Sequence, residues 1–515
     1  MSKGKLLAAS IVWLLILVIG VVTWKVFFAP AVEVSQAERE RQQAEEARQQ
    51  RDLEMRRGGS DSRYRSQVVI ALDGFSGYAV LRSDEFADEL RNQGIKLQLV
   101  DDGANYAERL AALRRGETDL AVFTIDALVK TCAESGQLPA TIVALIDETV
   151  GADAIVTYRD TFPTVDSLNG PETKFVLTPD SPSETLARVV MSRFRLDALG
   201  PDPFVKAESA DDVFQRYKAA RPVDKLAYVV WEPVVTQMLQ NDRMHVLVDS
   251  SRFPSAIVDV LVASDDYIAK NRDTVLQVVK TYLHVNYLYQ KQDRRIELVI
   301  KDAAATGTQL TRDEATRLVE GVWWKNTQEN LAHFGIRRGT NLTHLEDMIA
   351  GVTQVLLESH SIPSDPADGH PNYLYNDSIM NDLADFQPGV DEEMIRGTEM
   401  PALSDDEWGS LVEVGTARTP SLVFARGTAR LTERSRSILD ELVGALQTTR
   451  YYVIVRGNAS QRGNMEANKK LAEERARQVE RYLVEHGVDR DRIRAIGVQP
   501  SGSTSVSFVL GELPY

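Results

Sequence analysis

The sequence predicts an α/β protein of more than one domain, and three observations carry that expectation. Strand-type and helix-type segments alternate from Ser66 to Phe123, the pattern of βαβ units and a mostly parallel sheet. A second compact α/β pattern returns after Pro420. The length of 515 residues leaves room for two or three domains.

In chain order, Leu6 to Trp24 carries no charge and no proline. About 20 apolar residues span a bilayer core as a helix. Trp24, Phe27 and Phe28 stand where an interfacial aromatic belt would fall, and Lys3 and Lys5 precede the run. The expectation is a transmembrane anchor over 6–28 with a cytoplasmic N-terminus and the bulk of the chain exported. The rival is a cleaved signal peptide, for which Ala29-Pro30-Ala31 is an A-x-A pattern, though the run exceeds the usual h-region of about 7–15 residues. No Asp, Glu or His interrupts the run, which weighs against an ion-conducting helix.

Residues 32–57 are rich in Glu, Arg, Gln and Ala with almost no apolar stripe. They read as a solvated helical stalk, ended by Gly58-Gly59-Ser60.

From Gln67 to Leu72 a buried-strand run begins, followed by a turn at Asp73-Gly74. Phe86 and Leu90 fall at helical spacing, Ile95–Val100 alternates as a strand, Tyr106–Arg115 reads as a helix, and Leu120–Phe123 as another strand. Farther on, Leu345, Met348, Ile349, Val352, Val355 and Leu356 mark an amphipathic packing helix.

Several elements of this region resemble solute-binding proteins of ABC transporters, nearest the nitrate/sulfonate/taurine-binding type. They are Gly74-Phe75-Ser76-Gly77, Arg115 to Ala121, Gly151 to Val156, Ser167-Leu168-Asn169-Gly170 and Val230-Trp231-Glu232-Pro233. The resemblance implies a two-lobed type II periplasmic-binding-protein fold over 66–360, closing on a small-molecule solute. Lobe one would be 66–150 plus 252–360, and lobe two 151–251. Ligands of open α/β sheets bind outside the carboxyl ends of the strands. That rule nominates Phe75, Ser76, Thr124, Asp126, Glu148 and Thr149 from lobe one. From lobe two, the helix opening at Ser181 adds Ser181, Ser183 and Thr185, and the Trp-Glu-Pro element of the resemblance adds Trp231 and Glu232. Ser181 with Glu184 reads as a capping box, with Pro182 at the first helical position. A helix N-terminus can hold an anion. Asp73, Asp126, Glu148 and Asp153 near the same cleft suit an amine instead, so the ligand class stays open.

The net charge of −16 is uneven. Between Ser361 and Ser410 twelve acids face one base, Arg396, so this stretch carries −11 of it. With its prolines and glycines, 361–411 reads as an extended acidic linker with short ordered pieces, of which Tyr373-Leu374-Tyr375 is one that could dock. No basic stripe suggests nucleic acid.

In the last segment, Ser421–Phe424, Tyr452–Val455, Ile493–Gly497 and Val506–Leu510 read as strands. Helices are marked by Leu431 to Leu446 and by Leu471 to Leu483. Gly457-Asn458-Ala459-Ser460, Asn468 and Arg475-Ala476 resemble the signature of the OmpA-like peptidoglycan-binding domain, over about 412–513. In that family an Asp and an Arg grip a diaminopimelate unit of the wall. Here Arg475 stands at the Arg position, while Asn458 and Ser460 occupy those of the family's His and Asp. Losing a charged contact of this kind costs about 1.5–3 kcal/mol, so a weak wall site is expected.

The single cysteine, Cys132, forms no internal disulfide, and the seven histidines form no metal-spaced pair. No GxSxG or HExxH is present. No enzyme activity, cofactor or metal is expected. The leading expectation is an inner-membrane-tethered periplasmic solute-binding protein with a degenerate wall module, serving an ABC permease or another membrane partner. The alternative is a structural envelope scaffold with an empty cleft.

Overall fold

The computed structural model describes residues 64–391, 393–397, 399–458, 463–497 and 506–513, with 39, 42, 43, 45–51 and 53. The expected anchor at 6–28 and Ser460 lie outside the described residues, as does much of the expected stalk. Among the described residues no helix is long and apolar enough to cross a membrane.

Three sheets organise the described residues. The first contains β1 (Ser66–Leu72), β2 (Ile95–Asp101), β3 (Leu120–Thr124), β4 (Ala140–Thr149), β10 (Val258–Ser264) and β11 (Val322–Trp324), in the order β11-β4-β10-β3-β1-β2. The second contains β5 (Asp153–Tyr158), β6 (Lys174–Leu177), β7 (Phe204–Lys206), β8 (Leu226–Trp231) and β9 (Met244–Asp249), in the order β7-β6-β8-β5-β9. Two crossings, β4 to β5 and β9 to β10, join these lobes. β1 pairs in parallel with both β2 and β3, as the alternation of strands and helices requires. β4, with all ten residues buried, is a continuous apolar run apart from its ends, because helices cover both faces of its sheet.

Four helices matter for the site and its surroundings: α1 (Ile125–Ser135), α2 (Pro182–Arg193), α3 (Leu345–Glu358) and α4 (Met465–Glu485). α3 buries Leu345, Met348, Ile349, Val352, Val355 and Leu356, the stripe its 3.6-residue spacing predicts.

The third sheet contains β12 (Val412–Ala417), β13 (Tyr452–Gly457), β14 (Ile493–Gly497) and β15 (Val506–Glu512), in the order β12-β15-β13-β14. The strand expected at Ser421–Phe424 is absent; Phe424 makes only an isolated bridge to Leu431. Hydroxyls occupy the backbone groups that a ladder would need. Val423 N–H donates to Ser435 Oγ at 2.7 Å, and Val423 O accepts from Thr432 Oγ1 at 3.0 Å. The first strand of this sheet is β12 instead. Gly457 must be glycine, since a Cβ there would stand 2.0 Å from the Ala472 carbonyl oxygen of α4.

The acidic stretch is not an extended spacer. Leu374, Ile379, Met380 and Leu383 are buried in the core of lobe one, and Tyr375 bridges Ile142 on β4. Four apolar side chains decide its path, and its charges accommodate: Asp382 pairs with Arg272, Glu393 accepts from Thr327 N–H, and Asp405 pairs with Arg494. The described part of the stalk also lies against lobe one. Arg48 and Arg51 reach the buried Asp119 carboxylate at 3.1 and 3.2 Å.

The third domain packs directly on lobe two and the second crossing. Tyr451, wholly buried, meets Phe194 and Phe253 edge-on, with ring centroids 6.0 and 6.3 Å apart. Arg252 pairs with Glu512 at 2.8 Å, and one apolar cluster runs through both units. Truncating a large buried aromatic costs about 3–5 kcal/mol. Tyr451→Ala is therefore expected to split the unfolding of the third domain from that of lobe two in calorimetry. An unchanged thermogram would show that the interface does not couple them.

Candidate functional site

The carboxyl ends of the two main sheets face one another. On lobe one, β1 runs into Phe75 and Ser76, β3 ends at Thr124 where α1 starts, and β4 ends at Thr149. On lobe two, β6 leads to the start of α2, β8 ends at Trp231, and β5 enters with Asp153 paired opposite Trp231. The predicted residues are thus distributed over both walls, and a cavity of about 650 Å³ opens between α1 and α2. Its lining includes Asp126, Lys130, Ser181, Glu184, Thr185 and Arg188. Two bonds cross it: Thr185 Oγ1 donates to Asp126 Oδ2, and Lys130 pairs with Asp180.

The individual residues divide into those engaged structurally and those left open. Thr124 caps α1, accepting from Ala127 N–H at 3.4 Å. Ser76 is buried, and the half-buried Phe75 packs edge-on against Tyr78 with centroids 5.3 Å apart. Trp231 is half-buried against the apolar core of lobe two. Glu232 accepts from Thr236 N–H at 3.2 Å and Thr236 Oγ1 at 2.9 Å, and burial raises its pKa. Its side chain therefore ties down the start of the short helix Val234–Met238.

The expected capping box at Ser181 does not form. Ser181 Oγ donates to Thr178 O at 2.7 Å, and Glu184 Oε2 turns back to accept from Asp180 N–H at 2.8 Å. Each hydrogen bond satisfies a nearer backbone group, and Glu184 also pairs with Arg188.

Glu148 is held by the interior. Its carboxylate meets Lys325 Nζ at 2.5 Å and accepts from Ser255 N–H at 2.7 Å. Burial pushes this carboxyl up, and the Lys325 ammonium more than offsets it, leaving it below its ordinary value. Lys325 Nζ also sits 3.1 Å from the centre of the Trp323 ring. Sequence reading placed Glu148 at the cleft because β4 ends there; its partner Lys325 lies 177 residues away, beyond the reach of any local pattern. Asp73 is likewise paired, with Arg109 at 3.1 Å.

Among the described residues, buried oxygens that lack a hydrogen-bond partner near these strand ends include Asp126 Oδ1, Thr149 Oγ1, Asp153 Oδ1 and Ser183 Oγ, together with Thr178 Oγ1, both Asp147 oxygens and Asp259 Oδ2. Thr149 is among the residues expected at the cleft wall, and Asp153 enters as one of several nearby acids. The order Gly151-Ala152-Asp153, just after the crossing, was the available signal.

In the third domain Arg475 is turned inward. It is 8% exposed, its Nε donates to Thr428 O at 3.1 Å, and its guanidinium lies 4.9 Å from the Phe424 ring centre. Burial lowers its pKa. Asn458 is half-buried at the end of β13, and Asn468 is half-buried on the first turn of α4. Among the described residues no group of three His, Cys, Asp or Glu is placed to hold a metal ion.

Removing one partner of a buried ion pair costs about 3–5 kcal/mol, because the other charge is stranded. Lys325→Met should lose that much in denaturant unfolding, and the Glu148→Gln/Lys325→Met pair should recover most of it. A double variant as unstable as the sum of the singles would refute the pairing.

Comparison with known proteins places these observations beside others. The OmpA family matches residues 423–503. The periplasmic aliphatic sulphonate binding protein of Escherichia coli is 17% identical with a TM-score of 0.46, the match covering 61% of this chain and 98% of that one. The ligand-binding component of an ABC-type import system from Staphylococcus aureus, solved with zinc bound, is 16% identical with a TM-score of 0.45, covering 61% and 98%. The alkanesulfonate-binding protein of Xanthomonas axonopodis pv. citri, bound to MOPS, is 16% identical with a TM-score of 0.44, covering 58% and 95%. No curated protein matches the sequence. The chain is a mixed α/β protein of two lobes followed by an OmpA domain.

Proposed function

We propose that this protein is a non-enzymatic, membrane-tethered periplasmic solute-binding protein whose OmpA domain faces the cell wall. The observation that carries the reading is the cleft itself. Two α/β lobes, joined by two crossings, oppose the carboxyl ends of their sheets across a cavity lined from both sides. The apolar run at Leu6–Trp24 supports the tether, and a permease of the ABC type or another inner-membrane protein is the partner that such a binder would serve. The extensive contact between lobe two and the OmpA domain favours a second reading, an envelope scaffold with no solute.

Native mass spectrometry of the full chain released from detergent separates the two. A retained small molecule, or a melting shift with one of a panel of amino acids, sulfonates, amines and small anions, is the expected result. An empty cleft with no shift across that panel would leave the scaffold.

For the wall module, peptidoglycan pull-down of the full chain should be weak and should strengthen with Ser460→Asp, which restores the carboxylate of the family signature. Tight binding by the natural sequence that survives Arg475→Ala would overturn this account of the module.

A further inference from the structure

The charges left over in the cleft identify the class of solute, an inference that rests on the solute-binding reading above. Several acids stand near the junction. Asp147 and Asp259 are buried on neighbouring strands of lobe one, where Tyr78 Oη donates to Asp259 Oδ1 at 2.5 Å and further carboxylate oxygens are unpartnered. Three others are held by cations. Arg109 holds Asp73, Lys325 holds Glu148, and Arg188 holds Glu184. Asp126 and Asp153 have no such cation. The groups acting on Asp126 are the hydroxyls of Thr185 and Thr124, its own backbone N–H and the Glu184 carboxylate. Those acting on Asp153 are the Thr149 hydroxyl and Asp126 itself. Both carboxyls are buried, at 8% and 2% exposure, and each keeps one oxygen without a partner. Thr149, whose hydroxyl acts on Asp153, and Ser183 near the start of α2 are 3% and 0% exposed, and neither hydroxyl makes a hydrogen bond of full geometry; of the four groups Asp126 lines the cavity between α1 and α2. Burial pushes the Asp153 carboxyl up to about 7, and the charge of Asp126 adds to the rise.

Burying a carboxylate without a counter-charge is unfavourable, and two within Coulomb range of each other compound the cost. An incoming cation reverses both terms at once. An incoming anion meets the opposite situation. Lys130 and Arg188 already pair with Asp180 and Glu184, and Glu184 also takes a backbone N–H at the start of α2, where an anion would seek its donors. Arg193 stands two turns further along α2, roughly 12 Å from Thr185 by helical rise; its Nε is unpartnered, and Glu358 is the acid that acts on it.

We propose that the solute is a cation with an ammonium or guanidinium head. Asp126 Oδ1 of lobe one and Asp153 Oδ1 of lobe two hold it from opposite sides, and the Thr149 and Ser183 hydroxyls complete its hydrogen bonds. Because one carboxylate comes from each lobe, the same cation draws the lobes together.

Two measurements on the full chain in detergent test this. In calorimetric titration, at least one of 1,4-diaminobutane, agmatine and L-lysine should bind, ethanesulfonate and nitrate should not, and Asp153→Asn should weaken binding at least tenfold. In the absence of any added solute, Asp153→Asn should raise the melting temperature, since it removes an uncompensated buried charge. Binding of the anions but of no cation would overturn the assignment of class and leave the solute-binding reading intact. Binding of neither group would count against both. A lowered melting temperature for Asp153→Asn would mark the carboxyl as a structural group and also overturn the proposal.

Discussion

The fully buried ion pair between Glu148 and Lys325 is the contact on which the two-lobed arrangement depends. Glu148 stands at the end of β4, just before the chain first crosses between lobes, and it also accepts from Ser255 of the second crossing. Lys325 follows β11, and its carbonyl receives Asn286 and Asn330 side chains at 3.1 and 3.3 Å. One pair therefore ties both crossings to the helical extension of lobe one. Its partners cannot be water, so the desolvation it suffers must be met by geometry and by these surrounding hydrogen bonds.

Attachment of the OmpA domain to lobe two gives the molecule a second consequence. The acidic stretch is anchored to lobe one through Leu374, Ile379 and Leu383, whereas Tyr451 of the domain it leads to packs on Phe194 of lobe two and Phe253 of the second crossing, in a cluster that also holds Val355 of α3. The chain between these anchors spans the two halves of the molecule. α3 of lobe one also meets α2 of lobe two there, with Ser192 Oγ donating to Glu358 Oε2 at 2.6 Å, so the OmpA domain sits where elements of both lobes come together.

The cleft illustrates how far residue type and position go. Strand ends are legible because buried runs such as Val68–Leu72 and Leu120–Phe123 stop abruptly at polar residues, and those ends place Ser76, Thr124 and Asp126 on one wall. Availability is another matter. Asp126, Glu148 and Asp153 are all carboxyls near strand ends, yet only Glu148 has a buried lysine against it. That distinction depends on a strand contributed from 177 residues away.

By itself the sequence determined the α/β class, the amphipathic helix at Leu345–Glu358 and the OmpA domain. Each follows from local periodicity, turn residues or a contiguous motif. Tertiary structure alone decided that the acidic stretch is packed, because a few apolar side chains outweigh many solvated charges once a receiving surface exists. It also turned Arg475 toward Thr428 and Phe424, replaced the Ser181 capping box, and left Asp126 and Asp153 without cations. These outcomes rest on which groups from distant segments meet in a water-poor interior, where an absent partner matters as much as a present one.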